Sequence, residues 1–310
     1  MKPRRAGLPQ ASPPRCRSLA RRLKVSLLAI AVATAPFAIS DTENDTPLHI
    51  RHPYNVAGDQ IYARRTLYLV ELLDLAMSHS GHPYTLEKVP LATVTANRNT
   101  RNLHSGLYDV NWMHTNHERE EELLPVRIPL FRGLTGWRIM LIRPETQPRF
   151  MTIDSLDELK QLTAGQGHDW PDTRVLRAHH FKLVTSSSRD SLVNMVTGHR
   201  VDYFPRSLME VWDELDVYQP LGLTVESELL LVYPTAYYFF VPRDNPQLAS
   251  LLDRGLNAAV ADGSFTDLFD RYYADKIAKA HLHSRRRFNL TNPDLSAATP
   301  LGRKELWFEP

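Results

Sequence analysis

From Leu48 onward, short apolar runs of period two alternate with longer stretches whose apolar residues return every three or four positions. Residues 48–51 read as a first strand. Gly58-Asp59 then introduces a helix to about His79, with Leu69, Leu72, Leu73 and Ala76 on one face, Tyr62 and Tyr68 at its edges, and Gly81 as its stop. Residues 84–89 are a second strand, 98–103 a helix closed by Gly106, and 108–112 extended again. A helix starts at Thr115 or Asn116, where Thr115 and Glu118 have capping-box spacing. Strands follow at 126–128 and 137–143. This rhythm predicts an α/β layer whose helices cover a mostly parallel sheet.

Pro144 and Pro148 mark a boundary, beyond which the rhythm repeats. Ser155 and Glu158 cap another helix, and residues 162–164 form a strand that ends in the turn Gly165-Gln166-Gly167. A helix around 173–177, a strand at 181–184 and a helix from Ser188 to Thr197 come next. Residues 201–204 are extended, and Pro205-Arg206-Ser207 opens a helix to about Leu215. Strands at 229–234 and 237–241 precede two helices, one opened by Asn245-Pro246 and one by Ser264 with Asp267. The basic run Arg285-Arg286-Arg287 reads as solvated or dipole-compensating charge, and Leu306, Trp307 and Phe308 as residues that pin a Pro-containing tail.

The first 24 residues hold eight basic and no acidic side chains, and the apolar run 25–38 follows. As a helix, that run would rise only about 21 Å, short of the roughly 30 Å hydrocarbon layer. It reads as an export signal over residues 1–40, cleaved near residue 40, with a retained anchor as the alternative. The location expected is the periplasm. The whole chain is formally +2, but eight of its 37 basic residues and none of its 35 acidic ones lie in that leader. The remainder therefore carries −6 and offers no concentrated basic surface for nucleic acid. The sole cysteine, Cys16, is also in the leader, so the exported part has neither thiol nor disulfide.

Five segments, in order, are similar to a known family: GLYDV (106–110) with TNHEREEELLPVRIP (115–129), LKQLTAGQG (159–167), LVNMVTGHRVDYF (192–204) and YYFFVPRDNPQLASLLDRGLNAAVADGSF (237–265). Together they resemble the periplasmic solute-binding proteins of the amino-acid-binding type, family 3 of the extracellular components of ABC importers. The resemblance spans roughly residues 48–280. It implies an α/β, two-lobed, type II periplasmic-binding fold with a hinge of two crossing segments. Residues 41–140 plus 235–310 would be a discontinuous first lobe and 141–234 an inserted second lobe.

The resemblance also implies a site. In the family an arginine after this strand grips the ligand carboxylate, and Arg119 matches it; the bland alternative is a solvated arginine among glutamates. Thr115 lies one residue further from that arginine than the family's threonine does. Gln166 and Gly167 match a turn that presents backbone and a polar side chain to the ligand, and Trp112 is a candidate apolar wall. The acid that binds an amino-acid ammonium is replaced by Ser207, preceded by Arg206. Arg206 either serves an anionic ligand or points outward, and Glu210 could restore the acid. The ligand expected is a small polar or anionic solute, with an ABC permease or a membrane sensor as partner and a monomeric state.

The implied role is non-catalytic solute binding for transport. The alternatives are an exported sensor acting on a separate membrane protein, and a cyclic-acid dehydratase on the same scaffold. Among the 13 histidines, His114 and His117 are near the implied cleft, but no HExxH, Gly-x-Ser-x-Gly or Walker pattern occurs, and neither metal nor cofactor is expected.

Overall fold

The computed structural model describes residues 46–55, 60–91 and 96–310. The expected export signal, Gly58-Asp59 and the side chain of Tyr62 lie outside the described residues. In chain order the first elements are β1 (Leu48–Asn55), α1 (Gln60–Ser78), β2 (Tyr84–Leu91), α2 (Ala96–His104), β3 (Asn111–His114), α3 (His117–Glu122), β4 (Leu123–Val126) and β5 (Trp137–Ile142). They continue with α4 (Gln147–Met151), α5 (Leu156–Gln161), β6 (Thr163–Gly167), α6 (Pro171–Ala178), β7 (Lys182–Ser186), α7 (Arg189–Thr197), β8 (Phe204–Ser207) and α8 (Val211–Tyr218). The last are β9 (Thr224–Val225), β10 (Leu229–Val232), β11 (Tyr237–Pro242), α9 (Pro246–Asp262), α10 (Ser264–Lys279) and β12 (Arg286–Asn289).

The sheets are mixed rather than mostly parallel. Crossover connections give the parallel pairs β1/β2, β6/β7 and β10/β12. β11 runs antiparallel between β3 and β4, and β5 antiparallel to β8, β9 and β10. The reason is that the chain returns: β10 and β11 come after the α4–α8 segment and pair with β5, β3 and β4, strands laid down before it. β5 and β10 are the two crossing strands, in register at Leu231 with Arg138 and Val232 with Trp137.

The periodicity read from α1 is its buried face: Tyr68, Leu69, Leu72, Leu73 and Ala76 are fully covered. α9 packs on it so closely that a Cβ on Gly255 would stand 1.7 Å from the Ala76 carbonyl oxygen. Burial on this scale, at roughly 25 cal/mol per Å² of apolar surface, holds these helices where isolated helices of their length would be marginal.

Several local expectations are corrected. Asn116, not Thr115, caps α3: its side-chain oxygen accepts the Arg119 amide, three residues on, at 2.7 Å. The Thr115 hydroxyl donates to Glu120 instead, at 2.5 Å. Gly165-Gln166-Gly167 is not a turn but the end of β6, paired residue for residue with β7. Pro205-Arg206-Ser207 lies in β8, and its helix begins only at Val211. The fixed φ of proline suits an extended strand wherever its missing N–H is not needed by the ladder. The run Arg285-Arg286-Arg287 is structural: Arg285 is buried and donates to the carbonyls of Ala280, Glu226 and Leu229, while Arg286 opens β12. The tail is pinned as expected, with Trp307 over Gly133 and the Phe308 amide on the Arg132 carbonyl.

Candidate functional site

Four arginines from four elements meet where α1, β5, β8 and α7 approach one another. Arg65, on α1, lies 5.0 Å from the Tyr237 ring and 5.6 Å from Phe131, so its guanidinium is held against aromatic faces. Arg138 extends from the crossing strand β5; its Nε donates to the Tyr233 hydroxyl at 2.9 Å and its Nη2 to Asp172. Arg206, on β8, forms a two-pronged pair with Glu214 at 2.6 and 2.5 Å, and stacks over Trp170 at 4.6 Å and Phe204 at 4.8 Å. Arg189, at the start of α7, donates to the Tyr218 hydroxyl and lies 4.0 Å from Glu214.

Glu210 is at the centre. Arg65 donates to one of its oxygens at 2.7 Å; Arg206 is 3.0 Å and Arg138 3.8 Å from the other. Burial alone would raise the Glu210 pKa, but the charges of Arg206, Arg65 and Arg138 overcome it and hold the carboxyl down at about 2. Burial shifts Glu214 upward in spite of the guanidinium it grips. His114, at the end of β3, faces the same cluster edge-on to Tyr237. Burial, reinforced by Arg65 and Arg138, lowers its pKa to about 4 and leaves it neutral at pH 7. Beside Glu210 a narrow hollow with room for about one water is lined by Arg64, Arg65, Asp213, Tyr273 and Lys276.

The six residues singled out from sequence divide between places. Arg206 and Gly167 come together: the Trp170 indole lies over Gly167, where a Cβ would meet it at 2.0 Å, and Arg206 covers the same ring. Arg206 does not point outward, the alternative left open above. Gln166 is fully buried; its oxygen accepts the Gly167 amide, and its side-chain nitrogen has no hydrogen-bond partner among the described residues. Arg119 is buried too, not solvated. Its guanidinium donates to the His114 carbonyl and lies 6.0 Å from the Phe240 ring. Phe240 and Tyr237 alternate to opposite sides of β11, so Arg119 and Arg65 lie against different faces of that strand. An open groove beside Arg119 is lined by Thr100, Arg101, Asn116, Glu118 and Glu122. Trp112 packs between His52 and Phe239, and the Thr115 hydroxyl is engaged by Glu120.

Sequence reading missed Arg65, Arg138 and Asp172. Glu210 was weighed only as a replacement acid. The one signal available was the unusual Arg206, a buried cation that must find anions. Among the described residues no group of three or more His, Cys, Asp or Glu is placed to hold a metal, and no helix is long and apolar enough to cross a membrane.

The fold these elements make is the two-lobed α/β architecture of type II periplasmic-binding proteins. No protein-family model and no curated protein matches the chain. Solved structures do. The periplasmic VFT2 domain of Bordetella pertussis BvgS aligns at a TM-score of 0.54 and 18% identity, over 72% of this chain and 93% of that domain. A periplasmic His/Glu/Gln/Arg/opine family-binding protein from Silicibacter pomeroyi, in complex with lysine, aligns at 0.51 and 13% identity, over 72% and 96%. A histidine kinase sensor domain with similarity to periplasmic binding proteins aligns at 0.50 and 14% identity, over 73% and 95%. At these identities the likeness is one of fold.

Proposed function

We propose that this chain is an exported, non-catalytic binding protein that captures a small carboxylate-bearing solute between two lobes, residues 41–140 with 235–310 and residues 141–234. One observation carries the reading. Arg65 from the first lobe and Arg206 from the second converge on a single second-lobe carboxylate, that of Glu210, with Arg138 of β5 beside it. A carboxylate is the group whose two oxygens can bridge such donors, and closure that excludes water strengthens each contact. Gln166 and Gly167 belong to the second-lobe side and Trp112 to the first-lobe side, while Thr115 and Arg119 lie behind β11 and reach the site only through the Arg119 contact to the His114 carbonyl. The captured solute would pass to an ABC permease.

A specific observation supports sensing through a separate membrane partner as a second reading. The two lobes are joined by contacts of the chain itself: Arg65 with Glu210, Lys276 with Asp213, and the Trp212 indole N–H on the Lys276 carbonyl. A protein closed by its own contacts can signal through the difference a solute makes to that closure.

A thermal-shift screen of amino acids, dicarboxylates, opines and other small acids tests the capture reading. A ligand at a hundred times its Kd adds about 2.7 kcal/mol to folded-state stability, which is several degrees in Tm. At least one carboxylate should produce such a shift, and Arg65→Ala should reduce it at least tenfold in apparent affinity. No shift across the whole panel rejects the proposal.

A further inference from the structure

The segment that follows α10 touches the crossing strands and the elements on both sides of them. β12 adds a third strand to the crossing pair, parallel to β10 from Arg286 beside Leu229 to Asn289 beside Val232. The Leu290 amide continues that ladder onto the Val232 carbonyl at 2.8 Å, and Asn292 donates to the Pro234 carbonyl at 3.0 Å. Three contacts then tie this stretch to the α4–α8 segment. Arg286 donates to the Ile153 carbonyl and pairs with Asp154 at 2.9 Å. The His179 ring, just after α6, accepts the Thr291 amide at 3.1 Å, and Arg174, on α6, pairs with Asp294 at 2.6 Å. Later residues hold the other side. Arg303 donates to Asn257 on α9 at 2.8 Å, Leu306 is fully buried, and the Phe308 amide meets the Arg132 carbonyl at 2.9 Å.

We propose that residues 286–308 are a strap across the hinge, which limits how far the two lobes part. The inference rests on the lobe division given above and adds the element that sets the range of motion. A chain segment anchored on both sides of a hinge resists bending until one set of anchors gives way. The two sets differ in strength. On the α9 side Leu306 is buried and Trp307 lies over Gly133, so release there would uncover apolar surface. On the α4–α8 side the contacts are polar and partly exposed, a kind that contributes weakly pair by pair. That side is therefore the one that yields. The strap also has room to shift: residues 290–303 form neither strand nor helix, and a hollow of about 260 Å³ opens among Trp137, Tyr233, Arg287 and Trp307. Segments held by few apolar contacts are the ones that open locally.

Double electron–electron resonance on the full chain tests the strap, in a Cys16→Ser background with spin labels at Arg200→Cys and Arg254→Cys. Both positions are exposed, one just after α7 and the other on α9. The distance distribution is compared with and without the triple substitution Asp154→Ala, Arg174→Ala and His179→Ala, which removes strap contacts from the α4–α8 side and leaves the strap's own residues unchanged. Release should lengthen the mean separation by more than about 2 Å, the size of a genuine domain rearrangement. A distribution that coincides with that of the unsubstituted chain overturns the strap; a lowered Tm beside it would mark the contacts as ordinary stabilising pairs. If the triple variant does not fold, Asp294→Ala, which removes one partly exposed pair, is read by the same criterion. No ligand enters the measurement. A failed solute screen therefore leaves the strap standing, and an unchanged distance leaves solute capture standing.

Discussion

His114 shows how one residue reports on the whole cluster. Its ring is edge-on to Tyr237 at 4.8 Å, and its backbone carbonyl receives Arg119. Its pKa is lowered from 6.5 to about 4 by burial and by Arg65 and Arg138, against the pull of Asp172 and Glu210. The sign follows from linkage: the unfolded chain takes up a proton below pH 6.5 and the folded chain does not until about pH 4, so stability is complete above 6.5 and falls between those values. The loss is on the order of 3 kcal/mol. Urea unfolding between pH 4 and 7.5 should show that slope in wild type and a flatter one in His114→Asn. Identical slopes would place the titration elsewhere. Glu210 acts in a lower window: its carboxyl is held down at about 2, so its contribution is present above about 4.5 and lost as pH falls toward 2. At this scale the residue types were informative and their partners were not. Arg206 was visible as an oddity beside Ser207. Arg65, which stands 145 positions from Glu210, carries no local signal at all.

At the scale of elements, the packing of α1 on α9 is the most constrained contact in the fold. Gly255 is needed there not for its dihedral angles but for its missing Cβ, which would be 1.7 Å from the Ala76 carbonyl oxygen. Gly255→Ala should therefore destabilise the protein by at least about 2 kcal/mol despite alanine's better helix propensity, lowering Tm by roughly 5 °C or more. Differential scanning calorimetry decides it; an unchanged or raised Tm would mean the helices can separate without loss. Helices of strong period were legible: the α1 face, and the Asn245 and Ser155 caps, are where the sequence places them. Strands were less so. β6 ends in Gly-Gln-Gly and β8 contains a proline, local turn and helix-start signals that pairing with β7 and β5 overrides. The arginine run at 285–287 likewise has no alternation to mark it, yet β12 forms because β10 offers a free edge.

Over the whole molecule, the order of motifs carried more information than any one of them. The two-lobed α/β architecture could be read from five weak segments in sequence, because their spacing fixes which strands return beside which. The antiparallel returns of β10 and β11 could not, since strand direction depends on contacts across more than ninety intervening residues. The site was legible only in part for the same reason: it is assembled from α1, β5, α6, α7, β8 and the loop before α8, and no local pattern spans them. Guanidinium groups from α1, β5 and β8 share one carboxylate, that of Glu210. The claim that this cluster is an anion site is tested most directly by isothermal titration calorimetry of the best dicarboxylate from the screen against its diamide, for example succinate against succinamide. The acid should bind with measurable heat, and the uncharged diamide of nearly the same shape at least tenfold more weakly. Equal binding of the two, or heat from neither, would contradict the account.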